Sequence, residues 1–420
     1  MHRIIAAVLA AGACASSLQA QTSPPVAAEP VLTLAEALAR AGATSPAQEA
    51  AHANVRAAEA QRRVAGLRPN PALEVQSENI AGTGIYQGLR SSETTVGLSL
   101  PLELGGKRGA RVARADALLG RAALDAEIAR ADLQLRVTQA YTEAAAARRR
   151  LEVAREQGRI AADALNAARV RVAAGRASPL EERRADVARI TAEGAEERAV
   201  RTAAVTANTL GRLLGTTVAA VDLAWFDRIE GMGPEAAVDT RSTLAAAAAR
   251  ADLSAADAQV RLARSQRIPD LTVSAGARRL EQSNDVAAVI GVSIPLALFN
   301  GGRAAVDVST AQRAQADALR RLALLDAEQA VASAHAEAEN AATTARAMAG
   351  PALAAAREAA RIARIGYREG KFGQLDLLDA ERTLAETRAA AIDALATWHD
   401  ARARLERLTT PAPLSTEDDR

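Results

Sequence analysis

Side chains capable of chemistry are sparse in this chain and poorly spaced for it. Of the four histidines, His2 lies in the N-terminal segment and His52, His335 and His399 each stand alone in Ala-rich helical sequence, and no His or Cys pair has the spacing of a zinc or copper site. Gly105-Gly106-Lys107-Arg108 looks superficially like a phosphate loop. It lacks the leading glycine at the required distance and the Ser/Thr that would hold magnesium. No nucleophile–base constellation is visible. These residues point to a passive, non-enzymatic protein with no cofactor and no resident metal. Asp376 and Asp379 form a carboxylate pair at the start of a helical stretch. On their own they are solvated helix residues, favoured there by the helix dipole.

The elements around these residues carry more information. Aromatics make up only 2% of the 420 residues, whereas alanine is abundant. Few large side chains can fill an interior, and Ala-rich sequence with interspersed Arg and Glu favours long, closely packed helices. The 52 basic and 50 acidic residues leave a net charge of +2. No basic run with interleaved aromatics offers a nucleic-acid footprint.

Residues 1–20 have the features of a secretory signal peptide: Met1-His2-Arg3, a short apolar run, then small residues ending at Ala20. The only cysteine, Cys14, follows Gly12-Ala13 and is a candidate lipidation site. Ala11 stands where a lipobox prefers Leu, which favours ordinary cleavage. The mature protein is expected to be exported in a Gram-negative bacterium.

The chain repeats itself. Gly175, Leu180 and Ala185 match Gly370, Leu375 and Ala380, and Leu210 and Leu213 match Leu405 and Leu408, all at an offset of 195 residues. Ser99-Leu100-Pro101-Leu102 is echoed by Ser293-Ile294-Pro295-Leu296. The expected organisation is a first repeat over 21–214, a linker over 215–241, a second repeat over 242–409 and a flexible tail over 410–420.

Within each repeat the period changes. Leu73 and Val75 alternate with Glu74, Gln76 and Glu78, and Leu271 and Val273 alternate with Thr272 and Ser274. Period two over about nine residues predicts strands with one apolar and one polar face. The hairpins are placed at about 71–102 and 270–297. Helical pattern then runs over about 107–172 and 179–213, and again over about 303–369 and 374–408. The first long helix would be roughly 100 Å long at 1.5 Å per residue. Gly350-Pro351 should kink its counterpart. The segment 33–67 is expected to be one helix, stacked end to end with 179–213.

Tilted strands of about nine to eleven residues can span a bilayer. Four of them cannot close a barrel, and an open edge in lipid leaves backbone groups unpaired. Three copies would supply twelve strands, so closure calls for a homotrimer in contact with outer-membrane lipid. The apolar faces would then meet lipid, and Glu74, Gln76, Glu78, Thr272 and Ser274 would line the lumen. Aromatic girdles of the kind usual at barrel rims are missing.

Along nearly its whole mature length the chain resembles the TolC family of outer-membrane efflux proteins, and most of all its heavy-metal branch. The likeness is carried by Glu78-Asn79, Gly82, Glu93-Thr94-Thr95 and Pro101-Leu102-Glu103-Leu104-Gly105-Gly106-Lys107-Arg108. It continues at Gly366-Tyr367-Arg368-Glu369-Gly370-Lys371-Phe372 and Leu377-Leu378-Asp379-Ala380. The resemblance implies a mainly α fold with a small β part: a trimeric twelve-stranded outer-membrane barrel on a long α-helical periplasmic tunnel. It implies that Gly175, Leu180, Gly370 and Leu375 lie at the periplasmic tip, where a membrane-fusion adaptor docks and links the channel to an inner-membrane RND pump. It also implies that Asp376 and Asp379 form a gate, a ring of carboxylates that attracts cations. Their counterparts at the 195-residue offset are Glu181 and Arg184, so the two tips differ in charge.

The expected cargo is divalent cobalt, zinc, cadmium or nickel. The alternatives are the same channel exporting drugs or other organic molecules, and a periplasmic coiled-coil scaffold that transports nothing.

Overall fold

A computed structural model describes residues 31–229 and 239–413. The expected signal peptide and Cys14 lie outside the described residues, as do part of the 215–241 linker and the end of the tail.

The chain opens with two helices, α1 (Leu34–Thr44) and α2 (Pro46–Ala65), where one was expected. Pro46 cannot donate the backbone bond that would carry α1 onward, and the Ser45 side chain caps α2 by accepting from Gln48 N. Strands β1 (Ala72–Glu78) and β2 (Glu93–Leu102) follow, then the uninterrupted α3 (Lys107–Ala173) of 67 residues. Helix α4 (Pro179–Leu214) runs back along α3 and ends with Gly215 against Thr44, so α4 and α2 form one broken rod beside it. A short α5 (Leu223–Asp227) leads towards the second half.

There the order recurs: α6 (Leu244–Ser265), β3 (Leu271–Leu280), β4 (Asp285–Ser293), α7 (Arg303–Ala347), α8 (Leu353–Arg368) and α9 (Gln374–Thr409). A π turn at Met348–Ala352 separates α7 from α8, and Gly350 leaves helical geometry with ψ −105°. Pro351 removes one bond of the ladder there. The residue at the equivalent place in α3 is Arg155, which leaves that helix continuous.

The first residues of the expected flexible tail are held in place. Leu244 N donates to Thr410 O at 3.2 Å, and Ala412 N donates to Ser242 O at 2.8 Å. These bonds dock the end of α9 on the start of α6, the second broken rod.

The core sits midway along the shaft, where α1, α3, α4, α5, α7 and α9 meet. Its largest buried side chains include Trp398, Tyr141 and Phe226. The Tyr141 hydroxyl donates to Leu32 O at 2.7 Å and accepts from Asp222 N at 2.8 Å. Burial pushes its pKa up to about 12, so it stays a neutral bridge. His399 does not stand alone, as its sequence surroundings suggested. It stacks on Trp225 with ring centroids 4.1 Å apart, and its Nε2 lies 2.9 Å from Phe226 O. The carbonyl can only accept, so Nε2 carries the proton.

Where helices meet sheet, Lys107 Nζ contacts Asp270 Oδ1 at 2.7 Å, and Leu104 N donates to the same oxygen at 3.1 Å. The lysine that looked like part of a phosphate loop is a strut between the halves. Arg111 adds a tie within the first half, donating to Glu103 Oε2 at 3.0 Å and to Leu67 O at 3.2 Å.

Candidate functional sites on the sheet face and at the helical tip

The four strands form one antiparallel sheet in the order β1-β2-β3-β4, leaving β1 and β4 as edges. Two cross-strand registers define its faces: Leu73 opposite Leu98 and Val96 opposite Ala277 put the apolar residues together. Glu74, Gln76 and Glu78 share the other face with Thr95, Ser99, Thr272 and Ser274. All five expected lumen residues are therefore on one face. The opposite face exposes Leu73, Val75, Leu98, Ile290 and Val292, with Ile290 at 80%.

Gly97, Gly276 and Gly291 all lie on the polar face, and the apolar face has none within the strands. A methyl on Gly276 would come within 2.5 Å of Val96 O and 2.7 Å of Gly97 Cα. Backbone of neighbouring strands thus approaches closely on the polar face, where only glycine fits.

An ion cluster that was not foreseen staples this face together. Arg278 donates from Nη1 to Glu93 Oε2 at 2.9 Å and from Nε to Thr95 Oγ1 at 3.0 Å. Its Nη2 lies 3.3 Å from Glu78 Oε2. Glu74 accepts from Ser99 Oγ at 2.7 Å.

About 100 Å away along α3, both helix hairpins end in the same turn. Gly175 and Gly370 have φ of +67° and +76°, in the left-handed region that glycine adopts freely. Arg176 N donates to Arg171 O and Lys371 N to Gly366 O, each at 2.8 Å, which closes matching Schellman turns. The two tips touch where Gln374 Nε2 donates to Glu181 O at 3.3 Å, and the Arg171 guanidinium lies 4.8 Å from the Tyr367 ring centroid. Leu180 and Leu375 are exposed beside these turns.

The two aspartates occupy the first turns of α9, and both are exposed. Asp376 Oδ2 accepts from Gly373 N at 2.9 Å and so caps the helix. Among the described residues Asp379 reaches only Arg382, at 3.5 Å. Further up the hairpin, Arg364 forms a two-pronged bond to the buried Glu381, with Nη2 to Oε2 at 2.8 Å. The bond to Glu381 holds the guanidinium pKa above its ordinary value. Among the described residues, no group of three or more His, Cys, Asp or Glu is placed to hold a metal ion.

A four-stranded sheet with one polar and one exposed apolar face and two open edges, carried on a shaft of paired long helices, is the architecture of a channel subunit that closes its barrel by assembly. The chain belongs to the outer membrane efflux protein family, whose profile matches residues 37–216 and 234–410, one match for each repeat. It is 32% identical to the cobalt-zinc-cadmium resistance protein CzcC of Cupriavidus metallidurans, over 90% of both chains. It is 31% identical to the nickel-cobalt-cadmium resistance protein NccC of Alcaligenes xylosoxydans xylosoxydans, over 76% of this chain and 71% of that one. Among solved structures, the outer membrane protein VceC of Vibrio cholerae is similar at a TM-score of 0.73 and 23% identity, over 90% of this chain and 96% of the other. The MtrE outer membrane channel of Neisseria gonorrhoeae gives 0.74 and 22%, over 90% and 88%. The chain is thus an outer-membrane protein with the TolC-like fold, extending into the periplasm.

Proposed function

We propose that three copies of this chain form the outer-membrane duct of a tripartite RND-type efflux system and passively conduct divalent heavy-metal cations to the exterior. One observation carries the channel reading: a polar sheet face, crowded across strands at Gly276 as the concave side of a curved sheet is, backed by an exposed apolar face, with the outer sides of β1 and β4 unpaired among the described residues. Closure by three copies satisfies the edges, places the apolar face in lipid and leaves Glu74, Gln76, Glu78, Thr272 and Ser274 around water. That exposed apolar face also argues against a periplasmic scaffold. The metal cargo is supported by relatives named for resistance to cobalt, zinc, cadmium and nickel.

In this assembly Gly175, Leu180, Gly370 and Leu375 meet a periplasmic adaptor, which connects the duct to an inner-membrane pump. Asp376 and Asp379 ring the periplasmic entrance. The energy comes from the pump, so the duct needs only a compatible wall. Deleting the gene and measuring tolerance to metals and to antibiotics tests this. Lost tolerance to cobalt, zinc, cadmium or nickel supports it. Unchanged metal tolerance with lost antibiotic tolerance would replace the metal cargo with organic molecules.

A further inference from the structure

The polar sheet face is not electrically balanced. Its strand positions carry Glu74, Glu78, Glu93 and Asp285 against a single cation, Arg278. Arg278 spends itself on two of these carboxylates, reaching Glu93 at 2.9 Å and Glu78 at 3.3 Å. Glu74 has the Ser99 hydroxyl at 2.7 Å, and neither it nor Asp285 has an ion pair among the described residues. The other basic residue of β3, Arg279, points to the opposite face and is satisfied locally by Glu281 at 3.2 Å and Asn284 at 2.8 Å.

We propose that the β-barrel is itself a cation-selective stretch of the duct, with Glu74 supplying one ring of its negative wall and Arg278 limiting the strength of that wall by offsetting one of the two charges on Glu78 and Glu93. The inference rests on the channel reading. In a closed trimer Glu74 recurs three times at one level of the wall, where carboxylates in a confined aqueous pore concentrate cations and exclude anions. The clamp lies towards the hairpin loops and keeps one net negative charge level with Asp285, so the wall stays negative from Glu74 to the loops. A metal ion released from the helical tunnel then meets an attractive field that binds nothing tightly, and a duct must not retain its cargo.

The test is the reversal potential of the purified full-length protein in planar lipid bilayers under a potassium chloride gradient. Wild type should prefer cations. Glu74→Gln should lower the cation-to-anion permeability ratio by about twofold or more, and Arg278→Gln should raise it by a similar factor. Arg278→Lys keeps the charge and should hold the wild-type ratio, which controls for loosening of the clamp. Arg279→Gln, on the lipid-side face, should leave the ratio unchanged. Conducting channels whose ratio is the same in Glu74→Gln, Arg278→Gln and wild type would overturn the proposal while leaving the channel reading intact. Absence of any conductance from correctly assembled wild-type protein would overturn both.

Discussion

Arg364 grips Glu381 through two hydrogen bonds and thereby locks α8 to α9 near the tip, with Glu381 only 7% exposed. Its neighbour Arg361 makes a similar pair with Glu358 on open helix surface. The first pair spans 17 positions and two helices, the second only three on one helix, and they differ in what their loss would leave behind. Removing Arg364 strands a buried carboxylate, whereas removing Arg361 strands a solvated one.

Arg364→Leu is accordingly expected to destabilise the α8–α9 hairpin by about 2 kcal/mol, less than a fully buried pair because the guanidinium is partly exposed. Local opening would become roughly 30-fold more frequent. Amide hydrogen exchange in the first half of α9 measures this, with Arg361→Leu expected to stay within about threefold of wild type.

Gly276 offers a test of sheet curvature. A side chain there collides with the backbone of β2 at Val96 and Gly97, which cannot swing aside. Gly276→Val should cost at least about 1 to 3 kcal/mol per copy and sharply reduce assembled trimer. Ala277→Val changes the neighbouring position on the exposed apolar face and should assemble normally. Heat-modifiable trimer in outer-membrane fractions, resolved by semi-native electrophoresis, reports both.

The strands were legible because period-two patterning is local and because a hairpin pattern occurs in each repeat. The polar face was legible for the same reason. Arg278 was not, because it acts across the β2–β3 pairing, which joins residues about 180 positions apart in different repeats. Period two assigns a residue to a face without revealing which carboxylate it will meet. His399 was misread for a similar reason: Trp225 and Phe226 come to it from the linker, more than 170 residues away. The break at Ser45-Pro46 is different. A capping serine before a proline is a local signal of a helix start, and the apolar periodicity running through it hid the boundary.

His399 should make the core sensitive to mild acid. Desolvation lowers its pKa from the ordinary 6.5 to about 4, so the folded protein keeps it neutral where the unfolded chain would bind a proton. The unfolded state therefore holds more protons between about pH 6.5 and 4, and stability falls as pH drops through that window. The full loss is about 3 kcal/mol, complete near pH 4, with little change above pH 7. His399→Phe retains a ring against Trp225 and gives up the bond to Phe226 O. It should be less stable at pH 7.5 and show a flatter dependence between pH 7 and 5. Thermal midpoints of purified protein across that range decide it.

The tip aspartates separate a structural role from an electrostatic one. Asp376 caps α9 through Gly373 N, so replacing it with Ala removes a charge and a cap together, at about 1 kcal/mol for the cap. Asp376→Asn keeps an accepting oxygen and removes only the charge. Asp379 has no capping bond, and its contact with Arg382 at 3.5 Å is exposed, which contributes little to stability. Asp379→Asn is therefore the cleaner probe of the proposed entrance ring. If three copies bring these carboxylates around one opening, multivalent cations should block current from the periplasmic side, and each Asn variant should need about three- to tenfold more cation for half block. The double Asn variant should need more again, because both carboxylates act on one opening. Block that is identical in wild type, the single variants and the double variant would reduce both residues to solvated helix positions. The selective field of the duct would then have to come from its barrel.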